Sequence, residues 1–190
     1  LDFGCGGGHL ARRLDQLGAR VVGVDSCPAM IDAARNLALP HAEFRVGSVE
    51  TLGPHERFAA VLAVMVMPFV ENPGPLFQAL SHALEPGGML FVVSYNIGFV
   101  QLLLREDLLF HDFDSRTRPR HGILDLTGTN PIPVHVHYPE EYAYAAEESG
   151  LRQTLEARPP FTPEFLARYP VPFPTQTPEF LVMGFRKSPP

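Results

Sequence analysis

The first eight residues combine an acidic side chain with a glycine-rich segment. Asp2 is followed by glycines at positions 4, 6, 7 and 8, between a segment typical of a strand end, Leu1–Phe3, and a predicted helix. Glycine lets the backbone turn sharply and approach a ligand closely, and a helix N-terminus attracts an anionic group. Because Asp2 adds a negative charge to the same crevice, the pattern favours a ligand with both charge signs, such as an amino acid moiety, over a pyrophosphate.

A second acidic residue, Asp25, ends the next apolar segment. A carboxylate at the end of the second strand of a nucleotide-binding α/β fold accepts the hydroxyls of a ribose. A glycine loop followed by such an acid therefore indicates a ligand that contains adenosine.

Residues 6–11 also match the dinucleotide fingerprint G-x-G-x-x-A. This match is short, and the dinucleotide loop usually follows an apolar strand without an acid at the position of Asp2. We therefore rank a nicotinamide or flavin site well below the first interpretation.

Composition excludes several classes of protein. The 190 residues are 45% hydrophobic and carry a net charge of −6. That length fits one domain with a sizeable core, and the acidic balance argues against a general nucleic-acid binder. No apolar run reaches the roughly 18–20 residues of a membrane span, and two cysteines cannot build a disulfide scaffold or a Cys-rich zinc site. We expect a cytoplasmic protein without a metal, a nucleic-acid partner or a membrane partner.

The first half of the chain must supply the elements that position Asp2 and Asp25. Its apolar patterns alternate between strand and helix, as in a parallel α/β sheet. The predicted helices are His9–Leu17, Pro28–Ala38, capped by Ser26, and Pro75–Leu84; the predicted strands are Arg20–Val24, Ala42–Val46, Phe58–Val64 and Met89–Ser94.

After Tyr95 the alternation stops. The patterns predict helices over Ile97–Phe110 and Pro139–Ser149, a long loop over Arg116–Pro133, strands over Val134–Tyr138, Leu151–Ala157 and Glu179–Phe185, and a proline-stiffened loop over Arg158–Pro178. Long loops of this kind often serve as functional lids.

Four segments, in this order, resemble the class I S-adenosylmethionine-dependent methyltransferases of the small-molecule type. They are the glycine segment Leu1–Gly8, the second-strand segment Gly23–Ile31, the fourth-strand segment Phe58–Val70, and the helix, turn and strand of Leu80–Val93. The resemblance covers about residues 1–95. It implies a Rossmann-like, doubly wound α/β fold with a mainly parallel seven-stranded sheet whose last strand is antiparallel. It also implies methyl transfer from S-adenosyl-L-methionine to a small-molecule acceptor.

The resemblance also suggests the domain organisation. We expect a single methyltransferase domain over 1–190, with a cofactor-binding half over 1–95, an acceptor-pocket region over 96–178 and a closing strand over 179–187. Because Leu1 already lies inside a strand, we expect an upstream segment to be missing.

Carried over residue by residue, the resemblance implies a cofactor site. Around the methionine part, Gly4, Gly6 and Gly8 would pass under it, Asp2 would lie near its ammonium, and Ala63 would close that side. Asp25 would bind the ribose hydroxyls. Ser26 and Met30 would border the adenine, and Ser48 and Val49 would face its edge.

Some positions depart from the family pattern. Ser48 stands where an aspartate is common, and Pro68 and Phe69 stand where a pair of histidines is common. The sequence therefore identifies no catalytic residue. We expect catalysis mostly by proximity, with an acceptor pocket built from Phe69 and the Tyr95–Tyr138 segment, and the alternative is a non-catalytic methyltransferase-like domain that binds the cofactor or a partner.

Other polar residues have both a functional and a purely structural interpretation. His111, His135 and His137 are the candidate bases if the acceptor must lose a proton, although His135 and His137 are more simply two half-exposed histidines of a strand. The cluster Arg116, Arg118, Arg120 and His121 could grip an anionic acceptor, but we favour a solvated loop, and we expect Cys5 to be a packed loop residue.

Overall fold

The computed structural model describes residues 1–105, 110–114, 116, 120–125, 130–171 and 175–189. In chain order the strands are β1 Asp2–Phe3, β2 Val21–Asp25, β3 Ala42–Val46, β4 Phe58–Val64, β5 Leu84–Tyr95, β6 Phe110–Asp114, β7 Arg120–Leu124, β8 Ile132–Val136, β9 Leu151–Ala157 and β10 Phe180–Lys187. The helices are α1 His9–Gln16, α2 Pro28–Arg35, α3 Pro73–His82, α4 Ile97–Arg105, α5 Pro139–Glu148 and α6 Pro163–Arg168, with one-turn 3₁₀ helices at Val49–Thr51 and Met67–Phe69.

Seven strands form the main sheet, in the order β3-β2-β1-β4-β5-β10-β9. β1 pairs in parallel with both β2 and β4, while β10 is antiparallel to its neighbours β5 and β9. The predicted fold class is therefore confirmed. From β1 the strand order continues through β2 and β3 on one side and through β4 and β5 on the other. The carboxyl ends of β1, β2 and β4 therefore border the crevice where this type of sheet binds ligands.

Helices cover both faces of this sheet. On one face, Ala11 of α1 and Ile31 and Ala34 of α2 pack with Val21 and Phe44 of the strands. On the other face, α3 and α5 pack over β4 and β5, and Phe77 and Tyr142 are fully buried there. The glycine loop between β1 and α1 thus lies between two well-packed layers.

The second half of the chain contains a small sheet that the sequence did not predict. Strands β6, β7 and β8 form an antiparallel sheet that packs its apolar face against α4. The predicted Ile97–Phe110 helix is present over Ile97–Arg105, residues 106–109 lie outside the described residues, and Phe110 starts β6 instead of ending the helix. The predicted loop over Arg116–Pro133 is wrong as well, because it contains β7 and the start of β8.

Three local predictions also need correction. Cys27, not Ser26, is the N-cap of α2, without a side-chain cap. α3 begins at Pro73, where the Asn72 side chain accepts the Gly74 N–H. In the proline-rich loop, Thr162 caps α6 and Pro163 occupies its first turn, a position where proline starts a helix rather than breaking one.

Among the described residues, no helix is long and apolar enough to cross a membrane.

Candidate functional site

A cavity of about 620 Å³ opens at the carboxyl ends of β1, β2 and β4. Its lining residues come from the ends of β1 and β2, from the segments that follow β1, β2, β3 and β4, and from α2 and α3: Phe3, Gly4, Val24, Asp25, Ser26, Cys27, Met30, Gly47, Ser48, Met65, Val66, Phe69, Val70 and Leu76. Asp25 is the one charged residue in this set. The cavity therefore has a polar end around Asp25 and an apolar end around Phe69.

Another cavity, of about 770 Å³, lies at the opposite ends of the strands, next to Val21 and Phe58 at the amino ends of β2 and β4. It is larger, but the glycine loop and Asp25 do not border it. Since ligands of parallel α/β sheets bind at the carboxyl ends of the strands, we assign the functional site to the 620 Å³ cavity.

The Asp25 carboxylate organises the polar end. Its Oδ2 accepts the Gly6 N–H at 2.8 Å and its Oδ1 accepts the Cys27 N–H at 2.9 Å. Asp25 therefore ties the glycine loop to the start of α2 and also lines the cavity. Sequence reasoning identified the position of this acid but not its contact with the loop, which depends on tertiary structure.

Gly4 marks the place where the glycine loop meets the segment after β4. Its φ of +71° is in the left-handed region, and a Cβ at this position would clash with the side chain of Val66. Both conditions restrict the position to glycine. The absence of a side chain at Gly4 thus allows Val66 to close over the loop.

Asp2 lies behind the loop rather than on the cavity wall. The side chain is buried, and its Oδ2 has no hydrogen-bond partner among the described residues. Burial raises the pKa of this carboxyl to about 6, although the Leu1 ammonium and the Ala11 N–H both lower it. Asp2 therefore loses its proton at a higher pH than an ordinary aspartate does.

The remaining predicted cofactor residues divide into two groups. Ser26, Met30 and Ser48 line the cavity with Gly4 and Asp25. Gly6, Gly8, Val49 and Ala63 do not line it, and Ala63 is fully buried between Phe3 and Val92 of the neighbouring strands.

Sequence reasoning missed the two residues that stand just beyond β4. Met65 and Val66 line the cavity, and Met65 has a φ of +57°, which is uncommon for a residue with a side chain. Because β4 is apolar throughout, its sequence does not tell which side chains face the site. The left-handed backbone at Met65 gives no sequence signal.

Phe69 presents an aromatic ring at the mouth of the cavity. Its side chain is 63% exposed, although Met67 and Pro68 of the same turn are buried. The acceptor-side position predicted for Phe69 is thus compatible with its place on the cavity wall.

The three candidate bases have different surroundings. His137 is buried, and its Nε2 lies 2.7 Å from the Val70 carbonyl oxygen. His135 faces His121 across β7 and β8, with 4.8 Å between ring centroids, and its Nδ1 has no hydrogen-bond partner among the described residues. Burial is the main cause that lowers the pKa of both His135 and His137, and it favours the neutral form of each ring. His111, in β6, lies opposite Ile123 of β7.

The prediction of a solvated loop for the arginine cluster is wrong for Arg120 and His121, which lie in β7. Arg120 is buried and its Nη1 donates to Glu141 Oε2 at 2.8 Å, whereas Arg116 is 92% exposed and Arg118 lies outside the described residues. Cys5 is buried as predicted, and burial raises the pKa of its thiol to about 12. In the described part of the chain, no group of three or more His, Cys, Asp or Glu side chains could hold a metal ion.

Comparison with known proteins adds three findings. Residues 1–92 match the family model described as a methyltransferase domain. A ubiquinone biosynthesis O-methyltransferase from Xanthomonas oryzae pv. oryzae is 36% identical over 101 residues, which are 50% of this chain and 42% of that protein. The chain thus spans less than half the length of this relative.

Solved structures share the fold along the whole chain. A S-adenosylmethionine-dependent methyltransferase from Methanosarcina mazei superposes with a TM-score of 0.77 at 19% identity, over 100% of this chain and 92% of that one. One from Mesorhizobium loti gives a TM-score of 0.73 at 19% identity, over 98% and 89%. The superposition therefore extends beyond the half of the chain that carries the sequence match.

Proposed function

We propose that this chain, whose residues 1–92 match the methyltransferase-domain family, is a class I S-adenosylmethionine-dependent methyltransferase that transfers a methyl group from S-adenosyl-L-methionine to a small-molecule acceptor. The observation that carries this proposal is the Asp25 carboxylate, which lines a cavity at the switch point of the sheet and binds the glycine loop through Gly6.

The cofactor would lie across the polar end of the cavity. Asp25 would accept the ribose hydroxyls, for which its two oxygens have lone pairs left beside the two N–H groups they accept. Ser26, Met30 and Ser48 would surround the adenine, and the loop that carries Gly4, Gly6 and Gly8 would pass under the methionine part. Asp2, held behind the loop, would act on the ammonium at longer range.

The apolar end would hold the acceptor. When bound, the cofactor supplies an electrophilic methyl group on a sulfonium sulfur. The sulfur keeps the electron pair of the broken bond and leaves as a thioether. The protein then has to align the acceptor atom with the methyl carbon and exclude water, and placement alone can contribute about 7–11 kcal/mol. Met65, Val66 and Phe69 border that end, and they offer no acid or base.

An oxygen acceptor is favoured by the name of the relative above, an O-methyltransferase. A hydroxyl must lose its proton before or during attack. The candidates for such a base are His111, His135 and His137, and none of the three is among the residues that line the cavity. The acidic net charge of −6 fits an acceptor other than a nucleic acid, and we expect the protein to work in the cytoplasm.

Two measurements test this proposal. Calorimetry with S-adenosylhomocysteine should give saturable binding, and S-adenosylhomocysteine should accumulate with at least one member of a panel of phenols, catechols, amines and thiols. Binding without turnover of any acceptor would support the non-catalytic alternative. Absence of binding would overturn the cofactor assignment itself.

A further inference from the structure

We propose that His137 is a positioning residue, which holds the Met67–Val70 turn so that Phe69 faces the acceptor. This inference rests on the proposed function, because the turn borders the same cavity. It gives His137 a role other than that of a base.

The turn itself is well anchored on one side. Met67 and Pro68 are buried in the molecule, and the N–H groups of Phe69 and Val70 donate to the carbonyls of Val66 and Met67, at 2.9 and 3.1 Å. Phe69 is left exposed at the cavity mouth. Internal hydrogen bonds therefore fix the shape of the turn, but they do not fix its orientation toward the second half of the chain.

His137 supplies that second point of attachment. It follows β8 directly, and its Nε2 contacts the Val70 carbonyl oxygen at 2.7 Å. A carbonyl only accepts hydrogen bonds, so the proton of the imidazole resides on Nε2. The ring is buried beside Tyr142, with 5.4 Å between ring centroids. This nitrogen is therefore a donor to the turn and is not available to accept a proton from a substrate.

Residues Val136 and Tyr138, on either side of His137, are held in place by the ion pair of Arg120 and Glu141. Arg120 of β7 donates to Glu141 of α5 at 2.8 Å and to the Val136 carbonyl at 3.4 Å, and its guanidinium lies 4.0 Å from the centre of the Tyr138 ring. Glu141 also accepts the Tyr138 N–H at 2.7 Å. Residues 136 and 138 are thus fixed, so His137 connects a rigid support to the cavity wall, as a supporting group must.

Replacing His137 separates positioning from general stability. His137→Phe keeps the ring and loses the donor, His137→Gln keeps an amide donor near the position of Nε2, and His55→Ala removes an exposed histidine as a matched control. With the best acceptor of the panel, we expect His137→Phe to raise the acceptor KM at least tenfold and to change the dissociation constant of S-adenosylhomocysteine less than twofold. His137→Gln should recover most of the loss, and His55→Ala should match the wild type.

A second readout does not require an acceptor. In the unliganded protein, amide hydrogen exchange over residues 66–71 should be at least tenfold faster in His137→Phe than in wild type and should slow again in His137→Gln. Unchanged exchange, or equal losses of acceptor and cofactor affinity, would overturn the inference. Faster exchange in a protein that turns over no acceptor would instead overturn the proposed function and leave the role of His137 in the turn supported.

Discussion

The side chain of Asp25 meets two demands at once. It holds the Gly6 and Cys27 N–H groups and, in the proposed complex, it also binds the ribose. Removing the carboxylate would therefore cost ribose contacts and also release the glycine loop. The effect on cofactor binding should exceed that of losing one hydrogen bond.

We accordingly expect Asp25→Ala to weaken binding of S-adenosylhomocysteine by at least tenfold. Hydrogen bonds to a charged group contribute about 1.5–3 kcal/mol each, and 1.4 kcal/mol corresponds to a factor of ten. Isothermal calorimetry measures the change. Asp32→Ala, at an exposed position of α2, is the control that should bind normally, and equal affinities of the two variants would contradict the assignment.

Gly4 and Gly6 allow backbone strain to be separated from a steric clash. Both have positive φ, but only a Cβ at Gly4 would meet a neighbouring side chain, that of Val66. We expect Gly6→Ala to lower the free energy of unfolding by about 1–2 kcal/mol through strain alone. Gly4→Ala should lose a further 1–3 kcal/mol from overpacking.

Urea denaturation of both variants measures these losses. Adding Val66→Ala to Gly4→Ala should recover the overpacking part, while adding it to Gly6→Ala should recover nothing. Equal losses for the two single variants would argue against the close contact between the glycine loop and Val66.

At the scale of elements, the ion pair of Arg120 and Glu141 connects the small sheet to α5. Arg120 is 4% exposed and Glu141 28% in their side chains, so removing one partner leaves a charge with little water to solvate it. Such a loss costs about 3–5 kcal/mol in a fully buried pair. The partial exposure of Glu141 reduces this cost.

We therefore expect Arg120→Ala to lower the free energy of unfolding by about 2–3 kcal/mol in urea denaturation. Arg116→Ala is the matched control, since its side chain is 92% exposed and lies 3.5 Å from Asp114. Such a surface pair contributes about 0–1 kcal/mol. A loss under 1 kcal/mol in Arg120→Ala would show that the small sheet does not depend on this pair.

The elements that sequence could predict are those whose burial pattern is regular. The parallel half was predictable because strands such as β4 are apolar throughout and helices such as α2 have an apolar face. β7 was not, because Arg120, His121 and Gly122 are not typical of a strand. Its arginine is buried only because Glu141, more distant in sequence, compensates the charge.

The site was predictable to a similar degree. The acid at the end of β2 and the glycine loop follow from position alone, and Asp25 and Gly4 do line the cavity. The sequence analysis named Ala63 and missed Met65, because an apolar strand does not show which of its side chains point into the crevice. That depends on the backbone after β4, where Met65 adopts a left-handed conformation.

At the scale of the whole molecule, one buried carboxyl links stability to pH. The folded-state pKa of Asp2 is raised from 3.8 to about 6 by burial, so the folded protein binds a proton more tightly than the unfolded chain. Its stabilising contribution is complete below pH 3.8 and is lost as pH rises through about 6. Above that pH the protein carries the cost of an ionised buried group.

Asp2→Asn cannot ionise and should therefore be more stable than wild type at pH 7.5. A shift of this size corresponds to about 2–3 kcal/mol, and the difference from wild type should shrink by that amount at pH 4. Urea denaturation at the two pH values measures it, with Asp32→Asn as the exposed control. A difference that does not change with pH would contradict the raised pKa.

The position of β10 has a consequence for the order of folding during synthesis. β10 lies between β5 and β9 and pairs with both, so β9 joins the main sheet only through a strand made after it. A nascent chain that ends before Phe180 has the five parallel strands available but leaves one edge of β5, and the whole of β9, unpaired. Until residues 180–187 leave the ribosome, the unpaired edge of β5 is exposed to other chains. Insertion of β10 then closes that edge in a single late step.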